Sequence, residues 1–345
     1  MQAHEGRPLA PHDLAGAWPA EPGVLIPLAL TLVLYLAGVR RMRRRAGPDR
    51  FRGSVGWFLG GWVVLAVALA SPLHPLGGAL FSAHMLQHEL VMAVAAPLLI
   101  LGRPLAPLMF SLPAAWRRPA GRWTAGPAVR GLTSMLAHPL VATLLHAGAV
   151  LTWHVPALYE RTLTSEALHA AQHASFLVTA LIFWWALLRG GARPRRGAAV
   201  IALFVTTVYT GGLGALLTVS DTAWYTAYGN AAAAWGLTPL EDQQLAGIIM
   251  WMPGAGPYLL AALLLMAGWL RDAGVRTARR SVISAMLVIG IVSLQGCTDE
   301  ATERAARLTG GSPERGRAII PDYGGGVSER DARDIAAYFY TLPPP

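Results

Sequence analysis

Seven long apolar runs constrain the fold of this chain more than any other feature. Most of them approach the roughly 20 residues that a helix needs to cross the hydrocarbon core of a bilayer. Inside a bilayer the backbone must satisfy its own hydrogen bonds, so a spanning segment is either a helix or part of a closed barrel. We therefore predict an all-α fold, a polytopic membrane helix bundle with seven main transmembrane helices. The runs cover residues 22–39, 55–70, 80–101, 139–153, 168–188, 198–219 and 244–270.

The composition agrees with this fold class. The chain is 54% hydrophobic and 14% charged, whereas a soluble domain carries about 25% charged residues. An eighth apolar run at 282–294 is shorter than a usual span and is a candidate for a short eighth helix. We expect four parts: an outer N-terminal lead (1–21), a seven-helix transmembrane domain (22–272), a short apolar segment (273–296) and a small outer tail (297–345).

The arginines predict how the bundle is oriented in the membrane. They cluster after the first, third, fifth and seventh runs, whereas the loops at 71–78 and 220–243 contain none. Basic loops stay on the cytoplasmic side, so the N-terminus is expected outside. Clusters placed between apolar runs are a topology signal rather than a nucleic-acid-binding surface, and we expect the lipid bilayer but no nucleic acid as a partner.

The cysteine count and the absence of enzyme signatures exclude several function classes. A single cysteine, Cys297, allows neither an intramolecular disulfide nor a CxxC metal or haem-attachment motif. The chain contains no HExxH, no GxSxG and no glycine-rich phosphate loop. We therefore predict that the protein is not an enzyme.

Two histidine pairs carry the strongest chemical signal. His84 and His88 lie in the third run, and His169 and His173 lie at the start of the fifth. Residues four apart share one face of a helix, with Cβ atoms roughly 5–6 Å apart. Both runs enter from outside, so the two pairs should lie at the same outer depth and could form one metal or haem site.

Other candidate ligands are expected near the same outer level. His154 ends the fourth run and Asp242 precedes the seventh. Imidazole suits zinc, copper, iron and nickel alike, whereas the thioethers of Met92, Met250 and Met252 are candidate soft ligands that would favour Cu(I). The alternative interpretation is that histidines and methionines only pack the bundle.

The residues alone leave rival functions open. A b-type haem held between His88 and His173 would make the protein a membrane electron carrier. The sequence IIMWMPGAGP should kink or break the seventh span at Pro253 and Pro257, and broken helices occur in transporters, so a copper transporter is another candidate. A scaffold without metal is the third.

Four segments stand in order along the chain: HMLQH with APLLILGRPL, WHVPALYERTL, LHAAQHASFLVTALIFWW and DQQLAGIIMWMPG. Over roughly 23–270 they resemble the CtaG-type (caa-oxidase-associated) cytochrome c oxidase assembly proteins. The resemblance implies a multi-pass protein of the bacterial inner (plasma) membrane that helps to mature a haem-copper oxidase of the respiratory chain without catalysis, handling or inserting copper on the outer side. The implied partners are oxidase subunits and a copper chaperone.

The implied functional positions are His84, His88, His154, His169, His173 and Asp242. Glu89 departs from the resemblance, because an apolar residue is expected there.

The tail has a different resemblance. The segments LTGGSPERGRAII and SERDARDIAAYFYTL are similar to the first and last pieces of a c-type cytochrome domain, but the haem-attachment motif between them is missing. The tail is therefore interpreted as a remnant without haem. The sequence LQGC, ending at Cys297, also resembles a lipoprotein signal, which makes Cys297 a candidate lipid attachment site, with a plain short eighth span as the alternative.

Overall fold

The computed structural model describes residues 9–46, 52–189 and 196–271, and within these ranges the fold is helical with no strand. The chain divides into two compact units, Met1–Trp269 and Leu270–Pro345. The expectations for the segment 273–296, the tail 297–345 and Cys297 lie outside the described residues. The predicted all-α bundle is confirmed.

The described helices follow the predicted runs closely. In chain order they are α1 (Pro22–Ala46), α2 (Arg52–Ala70), α3 (Leu73–Leu76), α4 (Phe81–Glu89), α5 (Ala96–Leu101), α6 (Leu105–Ser111), α7 (Ala114–Thr124), α8 (Pro127–Leu136), α9 (Pro139–Trp153), α10 (Pro156–Thr164), α11 (Glu166–Leu188), α12 (Arg196–Val219) and α13 (Pro239–Arg271). A π-helical turn, Leu90–Ala95, joins α4 to α5.

Six of the described helical segments are long and apolar enough to cross a membrane. The pair α8 and α9 makes a seventh if it counts as one span, although its two helices are bent by 74°. Pro139, at the first turn of α9, explains this bend, because proline cannot donate the hydrogen bond that would continue α8. The predicted number of seven is therefore the upper count.

The third span, formed by α4, the π-helical turn and α5, lies at the centre of the bundle. In an apolar 18-residue stretch of this span 61% of the residues are buried, whereas the corresponding share is 17–39% in the other five spans. Trp184 of α11 donates from its indole nitrogen to the Met92 carbonyl of the π-helical turn at 2.9 Å. This bond fixes α11 against the third span and so sets the relative height of their histidines.

The seventh span, α13, is an unbroken helix from Pro239 to Arg271. The predicted break at Pro253 and Pro257 is therefore wrong. In a bilayer, unwinding would expose backbone groups to hydrocarbon, and neighbouring helices and local adjustments let a membrane helix accommodate proline instead. α13 packs closely on α12, since a Cβ added at Gly214 would lie 2.7 Å from the Gly247 carbonyl oxygen. The glycines of the GGLG segment thus permit close helix contact.

The arginine-rich end of the bundle is tied together by Arg41. Its guanidinium group, near the end of α1, donates to the carbonyls of Phe110, Ser111 and Leu112 at the C-terminal end of α6. α7 and α8 follow at this end and contain no buried residue. The exposed Trp116 and Trp123 share one face of α7, as expected for a helix at a membrane–water interface.

Candidate metal centre

The two histidine pairs meet where α4 faces α11. Within each pair the ring centroids lie 4.3 Å apart for His84 and His88 and 4.6 Å apart for His169 and His173. Between the helices, the centroids of His88 and His173 are 4.9 Å apart and those of His84 and His169 are 5.2 Å apart. The structure thus places all four imidazoles in one group.

Three of these residues can offer ligand atoms to a single ion. One ring nitrogen each from His84, His169 and His173 lie within 4.8 Å of one another. Imidazole nitrogens bind a metal at about 2.0–2.1 Å, so two ligands on one ion stand at most about 4.2 Å apart. Side-chain rotations that draw the three nitrogens together would complete a three-nitrogen site, with the His88 ring beside it.

These rings are largely buried, and several of their nitrogens have no hydrogen-bond partner among the described residues. His84 is 1% exposed and His88 is 2% exposed. Among the described residues, the following buried ring nitrogens have no hydrogen-bond partner: Nε2 of His84 and His169, and both nitrogens of His88 and His173. Buried polar atoms are normally paired, so these unpaired imidazole nitrogens are candidate metal ligands.

His74 is a fifth imidazole in this group, and the sequence analysis did not include it as a site residue. Its ring stacks on His169 with centroids 5.2 Å apart and approaches His173 edge-on at 5.9 Å. The Gln87 amide donates to His74 Nδ1 at 2.8 Å and to the Ala68 carbonyl at 2.9 Å. His74 lies in the arginine-free loop at 71–78, which the charge pattern places on the outer side, and this was the signal that could have identified it.

The bonds around His74 define its tautomer. Because Nδ1 accepts from Gln87, the proton of the neutral ring lies on Nε2, which is 3.5 Å from the Glu21 carboxylate. Burial lowers the pKa of His74, and the nearby Glu21 partly opposes this shift. His74 therefore covers His169 as an oriented, neutral ring rather than offering a free nitrogen.

His154 lies near this group but not in it. Phe176 lies between, with its ring centroid 4.7 Å from that of His88 and 6.4 Å from that of His154. The Nδ1 of His154 bonds to the Val150 carbonyl at 2.7 Å, and burial lowers its pKa. Its Nε2 has no hydrogen-bond partner among the described residues.

Asp242 is placed at the N-terminus of α4, and its carboxylate is already engaged. It accepts from the backbone amides of Phe81 at 2.6 Å and Ser82 at 3.1 Å, and from the Ser82 hydroxyl. The first amides of a helix have no partner within the helix, and an acidic side chain there is stabilising. The structure therefore indicates that Asp242 positions the helix of His84 and His88 rather than joining the imidazoles.

The three methionines predicted as soft ligands lie in different surroundings. Met92 packs in the core around Phe183 and Trp184. Met250 packs in a second cluster with Phe81 and other aromatic rings, and Met252 is 66% exposed. Their arrangement supports the packing alternative.

Aromatic side chains of α10 and of the loop after α12 cover one side of the histidine group. The Tyr159 ring lies 5.3 Å from the His84 ring, and its hydroxyl bonds to that of Tyr228 at 2.7 Å. Tyr228 in turn donates to the Gly77 carbonyl at 3.0 Å. Tyr159 and Tyr228 therefore cover the imidazoles on this side.

Known proteins that are similar to this chain include three from mycobacteria. The chain is 28% identical over 245 residues to uncharacterized proteins of Mycobacterium bovis, Mycobacterium tuberculosis and Mycobacterium leprae. The matched region is 69% of this chain but only 37% of each relative, so the chain spans well under half their length. No solved structure matches the chain.

The family comparison covers most of the chain, including both histidine pairs. The profile of the cytochrome c oxidase caa3 assembly factor family matches residues 33–272. The matched region contains every helix from α2 to α13 and both elements that carry the imidazole group. The chain therefore belongs to the cytochrome c oxidase caa3 assembly factor family.

Proposed function

We propose that this protein assists assembly of a cytochrome c oxidase by holding a copper ion at its histidine group and passing it on. The observation that carries this proposal is the meeting of His84 with His169 and His173, whose ligand nitrogens lie within 4.8 Å of one another. Copper is then cargo rather than a resident cofactor, and the protein is a carrier rather than an enzyme.

The donor set is compatible with copper. Among divalent ions of the first transition row, copper binds nitrogen ligands most tightly. The described part of the site offers imidazoles without a thiolate, and such ligands can release an ion more readily than a closed cage of thiolates. The family supplies the destination, since its members are assembly factors for an oxidase.

The proposed location and partners follow from the same reasoning. The arginine-rich loops favour a bacterial inner (plasma) membrane protein with its N-terminus outside. The histidine group would then lie at the outer end of the bundle. The proposed partners are the oxidase subunits that receive copper and a chaperone that supplies it.

Removing two ligands from different helices tests the metal site. His84→Ala combined with His173→Ala should reduce bound copper to near zero, because only His169 of the three-nitrogen set remains. Copper per protein is measured by elemental analysis after loading and desalting, with circular dichroism to confirm the helical fold. His138→Ala is the matched control, since His138 is an exposed histidine at the start of α9. Full copper stoichiometry in the double variant would refute the site.

The rival with b-type haem makes a different spectral prediction. Two axial imidazoles need a macrocycle between them, but the rings of His88 and His173 are only 4.9 Å apart. The His84 ring lies beside both, at 4.3 Å and 5.7 Å. This packing favours a single ion over haem, and an intense Soret band in the purified protein would reverse that conclusion.

A broken seventh helix was the feature that favoured a transporter, but α13 is unbroken. Reconstituted vesicles provide the direct test, because a transporter would move labelled copper into the lumen. A carrier of the kind proposed here would bind copper at the membrane without accumulating it inside.

A further inference from the structure

A cleft at the arginine-rich end of α1 joins apolar and basic side chains. Its volume is about 380 Å³. It lies at the opposite end of α1 from Glu21, the carboxylate that contacts His74. The cleft is lined by Leu36, Val39, Arg40, Arg43, Arg44 and Val55.

Helix geometry separates these arginines from the arginine that holds the bundle together. Arg40, Arg43 and Arg44 are spaced i, i+3 and i+4 on α1, so they share a face with one another. Arg41 lies about 100° around the helix from Arg40 and is bonded to three carbonyls at the C-terminal end of α6. The cleft arginines are therefore not needed for that contact.

The cleft arginines lack a protein counter-charge in the part of the chain that the structure describes. There, no aspartate or glutamate lies within 4.0 Å of Arg40, Arg43 or Arg44. The Nε atom of Arg43 is buried and has no hydrogen-bond partner among the same residues. Guanidinium groups bind phosphate through paired hydrogen bonds, so this arrangement suits a phosphate oxygen.

We propose that this cleft binds the phosphate headgroup of an anionic phospholipid. The guanidinium groups contact the phosphate, and the acyl chains lie along Leu36, Val39 and Val55. The apolar wall and the position at the end of a membrane span, which reaches Arg44, favour a lipid over free phosphate. Loop charges place this end on the cytoplasmic side, where anionic lipids attract basic segments. This inference is independent of the copper site.

Lipid retention by the full-length protein tests the proposal. The protein is reconstituted into nanodiscs of equal phosphatidylglycerol and phosphatidylethanolamine, and the lipids that stay bound are identified by native mass spectrometry. We expect the wild type to retain phosphatidylglycerol in at least roughly tenfold preference over phosphatidylethanolamine, because the cleft presents three basic residues to the headgroup. Arg40→Ala, Arg43→Ala and Arg44→Ala combined should bring the ratio close to that of the bulk lipid.

A second triple variant controls for charge alone. Arg118→Ala, Arg122→Ala and Arg130→Ala together remove the same charge from exposed positions on α7 and α8, and this variant should keep the preference. An equal loss in both triple variants would overturn the proposal, as would an unchanged ratio in the first. If the first variant does not insert, Arg43→Lys, which keeps the charge but not the paired geometry, should still weaken the preference. Binding of inorganic phosphate by the cleft in detergent together with no retained phosphatidylglycerol in nanodiscs would overturn the assignment to a lipid.

Discussion

At the residue scale, Asp242 shows how a side chain can serve a site without touching it. Its two oxygens accept from the first amides of α4, and His84 lies one turn further along that helix. A carboxylate at this position both pairs orphan amides and opposes the positive end of the helix dipole. The carboxylate therefore stabilises the start of α4, the helix that carries His84 and His88.

Replacing Asp242 should therefore destabilise the bundle more than it affects metal binding. We expect Asp242→Ala to lower the free energy of unfolding by roughly 2 kcal/mol, the loss of a helix cap with charged hydrogen bonds. Thermal unfolding in detergent measures this change, and Asp221→Ala, at an exposed carboxylate of the preceding loop, is the control. Copper per folded molecule should stay near the wild-type value. An unchanged melting temperature with lost copper would instead make Asp242 a ligand.

At the same scale, the sequence predicts the two histidine pairs but not the position of His74. The spacing of His84 with His88, and of His169 with His173, determines which side chains share a face, because helical periodicity is a local property. The place of His74 depends on how the short α3 turns between α2 and α4, and on the Gln87 amide that orients the ring. Such long-range contacts leave no periodic pattern in the sequence.

At the scale of elements, the contact between α12 and α13 depends on small residues. A Cβ at Gly214 would lie 2.7 Å from the Gly247 carbonyl oxygen and 3.0 Å from the Trp251 amide nitrogen. Backbone atoms cannot rotate away as a side chain can, so the two helices must separate to admit a methyl group. In a bilayer this close packing replaces the hydrophobic driving force between helices.

An alanine at the crossing should therefore weaken the bundle. We expect Gly214→Ala to destabilise the protein by about 1–3 kcal/mol, the usual cost of overpacking. Gly212→Ala is a matched control two residues away, because nothing lies within 4 Å of its added Cβ. The control should unfold at or slightly above the wild-type temperature, since alanine is the better helix former. Equal melting temperatures for the two variants would show that the crossing tolerates a methyl group.

The elements also show which sequence signals were sufficient. Apolar length predicted the spans because hydrocarbon thickness sets a minimum for each helix. The π-helical turn after Glu89 left no comparable signal, since its residues are as apolar as those of an α-helical span. The predicted break in α13 is wrong because a broken helix would expose backbone groups to lipid, a cost that the two proline residues alone do not reveal.

At the scale of the whole molecule, the two ends of the bundle differ in chemistry. The histidine group and the loop after α12 share one end, where Tyr225 donates to the His154 carbonyl at 3.0 Å. Arg41 and α7 mark the other end through the bonds to the carbonyls before α7. Copper delivery to the outer compartment and lipid binding at the inner leaflet both require that the arginine-rich end is cytoplasmic.

Cysteine labelling of the whole protein tests that orientation. In a background in which Cys297→Ser removes the single native cysteine, Asp221→Cys marks the histidine end and Gly121→Cys marks α7; both positions are exposed. A membrane-impermeant maleimide applied to spheroplasts should label the first variant directly and the second only after permeabilisation, because basic loops are retained inside. The opposite pattern would place the imidazoles at the cytoplasmic end. A copper ion held there could not be passed on at the outer surface, so the proposed route of delivery would fail even if the ion were bound.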